Sequence, residues 1–267
     1  MGEFVEYEVE GRIATATLNR PERLNAMNTP LINELVGYLE QAADDSGVHV
    51  AIVQGAGRAF STGYEIGEQR DHDRPWSPAL DRDLIENRLL TWLRIPEIRV
   101  PIIAKVHGYC IAGGTQLASI CDVTFAAEDT RVGSGPQLPL GAGFVTAFWA
   151  WHIGPKKAKR YAFPSGEFIT GAEAAELGLF NEAVPADQLD AYVLDYAQRI
   201  ALVPKDVLVI HKLTANRIQE IQGFRSALRT GAELDVIAHF SPEVEKLRAS
   251  VQELGVRGAI DAWRSQL

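Results

Sequence analysis

A pair of glycine-rich turns, each placed directly after an apolar strand-like run, constrains the fold of this chain most. The later turn spans residues 103–118 and reads Ile103-Ala104-Lys105-Val106-His107-Gly108-Tyr109-Cys110-Ile111-Ala112-Gly113-Gly114-Thr115-Gln116-Leu117-Ala118. Val106 and the residues before it suit a buried strand that runs through the turn into a helix. Gly113 and Gly114 let backbone approach a neighbour closely, and from Thr115 the composition turns helical. A helix opening there presents unpaired N–H groups and the positive end of its dipole to an anion. Taken alone, a close-packed strand–helix crossing explains these glycines equally well. The earlier turn changes that balance. It reads Gly55-Ala56-Gly57-Arg58-Ala59-Phe60-Ser61-Thr62-Gly63-Tyr64-Glu65-Ile66 and follows the apolar Val50-Ala51-Ile52-Val53. Two such loops can supply two backbone donors, the minimum for an oxyanion hole that stabilises a carbonyl oxygen as it gains charge.

The order of elements around these turns predicts an α/β core. Residues 4–9 and 13–18 alternate as strands about Glu10-Gly11. Asn28 and Pro30 open a helix whose apolar stripe is Leu31, Leu35, Leu39 and Ala42. A strand over 48–53, a helix over 81–93, strands over 101–106 and 123–126 and a short helix after Gly114 follow, and such alternation argues for parallel strands with crossover helices. From residue 188 the pattern is almost wholly helical, over 188–202, 205–219, 224–239, 242–252 and 257–263, punctuated by Pro204, Gly223, Pro242 and Gly255. Residues 1–187 are therefore read as a core domain that holds the site, and residues 188–267 as a helical region.

With 267 residues, 46% of them hydrophobic and 23% charged, the chain has the makings of one ordinary globular domain and a modest second module. A net charge of −9 without runs of like charge argues against nucleic acid or an anionic membrane as partner. No run approaches 18 apolar residues, and the acidic start Met1-Gly2-Glu3-Phe4-Val5-Glu6 lacks the basic and apolar regions of a signal peptide, so a cytoplasmic location is expected. Cys110 and Cys121 read as buried free thiols.

Several blocks, in this order, resemble the crotonase (enoyl-CoA hydratase/isomerase) superfamily. They are Leu18-Asn19-Arg20-Pro21-Glu22-Arg23-Leu24-Asn25-Ala26-Met27, residues 59–66, residues 101–122, Ile169-Thr170-Gly171-Ala172-Glu173-Ala174-Ala175-Glu176-Leu177-Gly178-Leu179, and Glu182-Ala183-Val184. The resemblance implies a spiral of ββα units with a C-terminal helical region that packs in trimers, often paired into hexamers. It also implies an acyl-CoA substrate, with coenzyme A as part of that substrate, and neither a permanently bound cofactor nor a metal. Carried over from the family, the two oxyanion donors are the N–H groups of Thr62 and Gly113. Arg23, Leu24 and Ala26 correspond to the stretch that holds the adenine and phosphate end of coenzyme A, and Ser61, Gly63, Tyr64, Glu65 and Ile66 are read with them as residues that bind the coenzyme A thioester.

The chain departs from the hydratases at the two positions where they carry catalytic glutamates. It has Gln116 at the first and, in Gly135-Pro136-Gln137-Leu138-Pro139, Gln137 at the second. An amide holds a water but transfers no proton as a carboxylate does, and positioned acid–base groups contribute on the order of 10²–10⁴ in rate. The expectation is an enolate-stabilising site with unusual proton handling. It is classed first with enoyl-CoA hydratases and isomerases, with acyl-CoA decarboxylation, β-diketone carbon–carbon hydrolysis or a non-catalytic acyl-CoA-binding subunit as alternatives. Among other titratable groups, Glu65 reads as a carboxylate bracing its loop through backbone N–H groups. His107 reads as a structural hydrogen-bonding group, His152 as part of a packed aromatic helix, and residues 71–76 as a polar loop beside the pocket.

Overall fold

The computed structural model describes residues 2–66, 76–135, 138–141, 143–164 and 166–265. Strands β1 (Val5–Glu10) and β2 (Ile13–Leu18) pair antiparallel around Gly11, whose φ of +58° suits glycine. Helix α1 (Thr29–Asp44) starts where the sequence places it: Asn28 Oδ1 accepts the Leu31 N–H at 3.0 Å, and Leu31, Leu35, Leu39 and Ala42 are buried. After β3 (Val50–Gly55), helix α2 (Pro78–Trp92) begins three residues before the expected start, because Ser77 caps it and Pro78 fits its first turn.

The stretch 103–118 differs from its reading as a single strand entering a helix. Strand β4 (Ile102–Val106) ends, Gly108 turns the chain at φ +63°, and a further strand, β5 (Tyr109–Ile111), precedes α3 (Gly113–Ile120). A methyl group at Gly108 would lie 2.0 Å from the Arg58 carbonyl oxygen, so the close approach of the first glycine loop leaves room only for glycine at this turn.

The chain continues through β6 (Val123–Ala127), β7 (Arg131–Gly133), α4 (Gly143–Ile153), α5 (Pro155–Ala162), β8 (Ile169–Thr170), α6 (Gly171–Leu177) and β9 (Glu182–Val184). The larger sheet has the order β1-β2-β3-β4-β6-β9 and is parallel apart from the β1–β2 pair; the smaller has the order β5-β7-β8. Strands β4 and β5, β6 and β7, then β8 and β9 are shared one to each sheet with helices between, which winds the chain into a spiral.

Four helices follow: α7 (Leu189–Ala201), α8 (Lys205–Ile221), α9 (Phe224–His239) and α10 (Pro242–Arg264). The two helices expected over 242–252 and 257–263 are both present within α10, separated by a kink at Gly255, whose φ of +70° and ψ of 169° are not helical. Although composition groups α7 with the C-terminal helices, it covers one face of the larger sheet. Leu189, Val193, Ala197 and Ala201 pack on Val50, Ile52, Ile103, Phe125 and Ala127. The opposite face carries the main core, to which α1, α2, α3, α4 and α9 contribute. Helix α8 is fastened by Lys212, whose Nζ lies 2.8 Å from Asp122 Oδ2 and donates to the Val100 carbonyl at 3.0 Å. Burial raises the Asp122 carboxyl above its ordinary value, against the opposing pull of Lys212.

Candidate functional site

The two glycine loops meet. Phe60 N–H donates to His107 O at 3.0 Å, Ser61 N–H to Tyr109 O at 3.1 Å, and Ile111 N–H to Ser61 O at 3.0 Å. Their contact leaves no room for side chains: a methyl at Gly63 (φ +94°) would lie 2.9 Å from the Gly113 nitrogen, and one at Gly114 only 2.4 Å from Ser61 O. Close packing and an anion site are thus not competing explanations here. Ala112, with φ +50° and ψ −118°, is held in a conformation unusual for a side-chain-bearing residue, and it turns β5 into α3. No side chain caps α3, so Gly113 stands at the opening of an uncapped helix with its dipole behind it.

Thr62 occupies a different role from the donor expected of it. Its N–H donates to Leu24 O at 3.1 Å and its hydroxyl reaches the same carbonyl at 3.4 Å, so that hydrogen is spent on the turn at 24–27. The residues of the first loop that touch Gly113 are Gly63 and Tyr64, the latter with ring carbons 3.0 and 3.1 Å from where a Gly113 methyl would sit. Trp92 Nε1 donates to Tyr64 Oη at 2.8 Å and fixes that ring.

Gln116 is fully buried one turn into α3, and neither its Oε1 nor its Nε2 has a hydrogen-bond partner. A buried polar group left unsatisfied costs about 1–3 kcal/mol, so this amide calls for a ligand or water. Gln137, its expected companion, lies outside the described residues, as do residues 71–75 of the polar loop. The next residue, Leu138, is buried against Leu247 and Ala259 of α10. Helix α3 is held to α4 by Trp149 Nε1, which donates to Thr115 Oγ1 at 3.0 Å.

The remaining expected residues separate into two groups. Ser61 is fully buried, donating to Asn25 O at 2.8 Å and accepting the Gly63 N–H at 3.1 Å; Leu24 adopts φ +52°; Ala26 O accepts from Arg20. These residues build the turn. Arg23 and Ile66 are exposed at its rim. Glu65 braces the loop, but through a side chain: Arg20 Nη1 lies 3.0 Å from Glu65 Oε2, in place of the expected backbone N–H groups. His107 Nε2 lies 2.9 Å from Gly57 O, as a structural role requires. His152 is packed on α4, and burial lowers its pKa, against a hydrogen bond with the Ser119 backbone. Burial pushes both cysteine thiols up.

Sequence reasoning missed three groups. Asn25, fully buried at φ +54°, accepts the Arg20 N–H at 2.9 Å and donates to Ala56 O at 2.9 Å and Ala59 O at 2.7 Å. It sits inside a quoted block, and a polar residue amid apolar ones was the available signal. Arg88 of α2 places its guanidinium carbon 4.6 Å from the Tyr64 ring centroid. His239 Nδ1 lies 2.6 Å from Asp81 Oδ2, and Asp235 accepts the Gly143 N–H at 3.0 Å, tying α2, α4 and α9 together. Burial raises the Asp81 carboxyl, but the His239 contact, the Trp76 N–H and the Arg248 charge outweigh it and hold the group below its ordinary value.

The sequence pattern of the family described as Enoyl-CoA hydratase/isomerase matches residues 8–252. The 2,3-dehydroadipyl-CoA hydratase of Escherichia coli (strain K12) is 33% identical over 214 residues, which cover 79% of this chain and 80% of that protein. A crystal structure of an enoyl-CoA hydratase/isomerase from Xanthobacter autotrophicus Py2 superposes with a TM-score of 0.90 at 35% identity, covering 99% of this chain and 98% of the other. An enoyl-CoA hydratase structure from Mycobacterium smegmatis gives 0.87 at 33% identity, covering 96% and 91%.

Proposed function

The chain belongs to the enoyl-CoA hydratase/isomerase family, and from that premise we propose that it binds an acyl-CoA thioester and stabilises its enolate at the opening of α3. In this reading the Gly113 N–H is one donor to the thioester oxygen, and Tyr64, which touches Gly113, replaces Thr62 as the first loop's contribution. Each such donor is worth roughly 10²–10³ in rate. The observation that carries the reading is the fully buried, unsatisfied amide of Gln116 one turn from Gly113. It stands where the substrate's reacting carbons would lie, and it can orient water or a substrate oxygen without exchanging a proton.

An enoyl thioester is the leading substrate class, in keeping with the names of the relatives. Coenzyme A would lie along Arg23, Leu24 and Ala26. Decarboxylation is the second reading, favoured by the same amide, because loss of carbon dioxide forms the enolate without a base. Assembly as a trimer or hexamer belongs to the proposal, and exposed apolar residues of the C-terminal helices such as Ile210, Ile218 and Ile221 support it. No helix among the described residues is long and apolar enough to cross a membrane.

Incubation with crotonyl-CoA, a malonyl-type CoA and a cyclic β-diketone, followed by mass spectrometry, tests the reading. Product from a thioester and none from the diketone is expected. Product from the diketone alone overturns it, and tight acyl-CoA binding without any turnover points to a binding subunit. Converting Gln116→Glu together with Gln137→Glu should raise crotonyl-CoA hydration by on the order of 10² or more. Unchanged hydration in a folded double variant would remove at least one glutamine from the site.

A further inference from the structure

We propose that Thr115, itself held by Trp149 of α4, is a positioning residue that aims the Gly113 N–H at the substrate, so that the oxyanion contact is set from behind, through α3. This rests on the thioester reading of the Gly113 region. A trans peptide is planar, with its C=O and its N–H on opposite sides. The Ala112 carbonyl and the Gly113 N–H are the two ends of one such trans peptide. Whatever fixes that carbonyl therefore fixes the direction of the Gly113 hydrogen. Three donors meet it: the Thr115 N–H at 2.9 Å, the Gln116 N–H at 3.3 Å and the Thr115 hydroxyl at 2.7 Å.

The two backbone bonds come with any helix opening, whereas the hydroxyl is particular to this sequence. It makes the shortest of the three contacts and is fixed in turn, because Trp149 Nε1 donates to Thr115 Oγ1 at 3.0 Å. A hydroxyl that accepts an N–H is polarised into a stronger donor, and both side chains are buried, away from competing water. Ala112 needs such a hold, since its φ of +50° and ψ of −118° persist only where the surroundings impose them. On its other side the Ala112 N–H is anchored to Gly133 O at 2.9 Å. One turn further along both helices, His152 hydrogen-bonds with the Ser119 backbone and keeps α4 in step with α3. Packing alone does not ask for this hydroxyl, because valine has nearly the same shape and burying a hydroxyl is costly unless it is bonded.

The test is the absorption spectrum of 2,4-hexadienoyl-CoA bound to the whole protein. A hydrogen bond to the thioester oxygen draws electron density along the conjugated chain and moves its band to longer wavelength, which packing around the chain does not do. The parent protein should shift the band. Thr115→Val should lose most of that shift while weakening thioester binding by no more than about tenfold, the worth of one ordinary hydrogen bond. Thr115→Ser, which keeps the hydroxyl, should retain the shift, and Trp149→Phe, which leaves the hydroxyl without its donor, should lose part of it. A shift that Thr115→Val keeps overturns the inference, as does a loss as large in Thr115→Ser as in Thr115→Val. Should Thr115→Val fail to fold, an unchanged shift in Trp149→Phe overturns it instead. If the parent protein does not bind the probe, or binds it without a shift, the thioester reading of Gly113 falls and takes this inference with it, whereas a parental shift that the variants keep removes only the role of Thr115 and Trp149.

Discussion

Two regions of this protein each bury an amide completely, and they treat it in opposite ways. In the turn at 24–27, Asn25 satisfies its oxygen and both amide hydrogens against Arg20, Ala56 and Ala59. In the first turns of α3, Gln116 satisfies nothing. An amide with all its bonds made is a structural cross-link that specifies one backbone arrangement. An amide that no protein group completes is left to a ligand or to water, and is tolerated where one of them can complete it. The contrast separates the part of the molecule that shapes the loops from the part proposed to meet the substrate.

The sharpest way to break the comparison is Asn25→Leu. It orphans one buried N–H and two carbonyl groups and places a branched side chain at φ +54°, so a loss of about 3 kcal/mol or more is expected, read as a fall in the denaturant midpoint. A loss under about 1 kcal/mol would show that the cross-link is replaceable. Gly63→Ala should cost about 2 kcal/mol, since the added methyl meets the Gly113 nitrogen at a positive φ. Its fall in turnover should be the larger signal, roughly 10², because the shift displaces the proposed oxyanion donor at Gly113.

Gln116→Met carries the opposite sign. Removing the unsatisfied amide should stabilise the ligand-free protein by about 1 kcal/mol in thermal unfolding while weakening acyl-CoA binding. Destabilisation with unchanged binding would make Gln116 a second Asn25. The smallest effect concerns His152, whose pKa burial depresses below the ordinary 6.5. The unfolded chain then binds the extra proton first, so the contribution of His152 to stability is complete above about pH 6.5 and is lost as pH falls from there towards the folded value. Replacing His152 with Leu should flatten that slope in pH-dependent melting by a fraction of a kcal/mol, and a slope that does not change would assign it to another group.

Much of the architecture was legible because its signals are local. Asn28 with Pro30, and Pro204, Gly223 and Pro242, bound helices where the sequence places them, and α9 spans the expected residues, because caps and breakers act within a turn of where they stand. Strand β5 was hidden, since three residues between two glycine turns carry no period of their own and become a strand only by pairing with β7. The same limit applied at the site. Glycine positions marked both loops, yet the spending of the Thr62 hydrogen on Leu24, 38 residues earlier, is invisible without the fold. Arg88 over Tyr64 and His239 against Asp81 are likewise meetings of distant segments.

The sequence by itself determined the α/β class, the membership of the enoyl-CoA hydratase/isomerase family and the presence of the amides Gln116 and Gln137 in the stretches that resemble it. Those are properties of residue type and short-range spacing. Only the tertiary structure decided that Asn25 is a completed cross-link, that Gln116 is not, and that a buried arginine lies over the ring beside Gly113. Each depends on which backbone groups, far apart along the chain, arrive within hydrogen-bond distance, and no local pattern encodes that arrival.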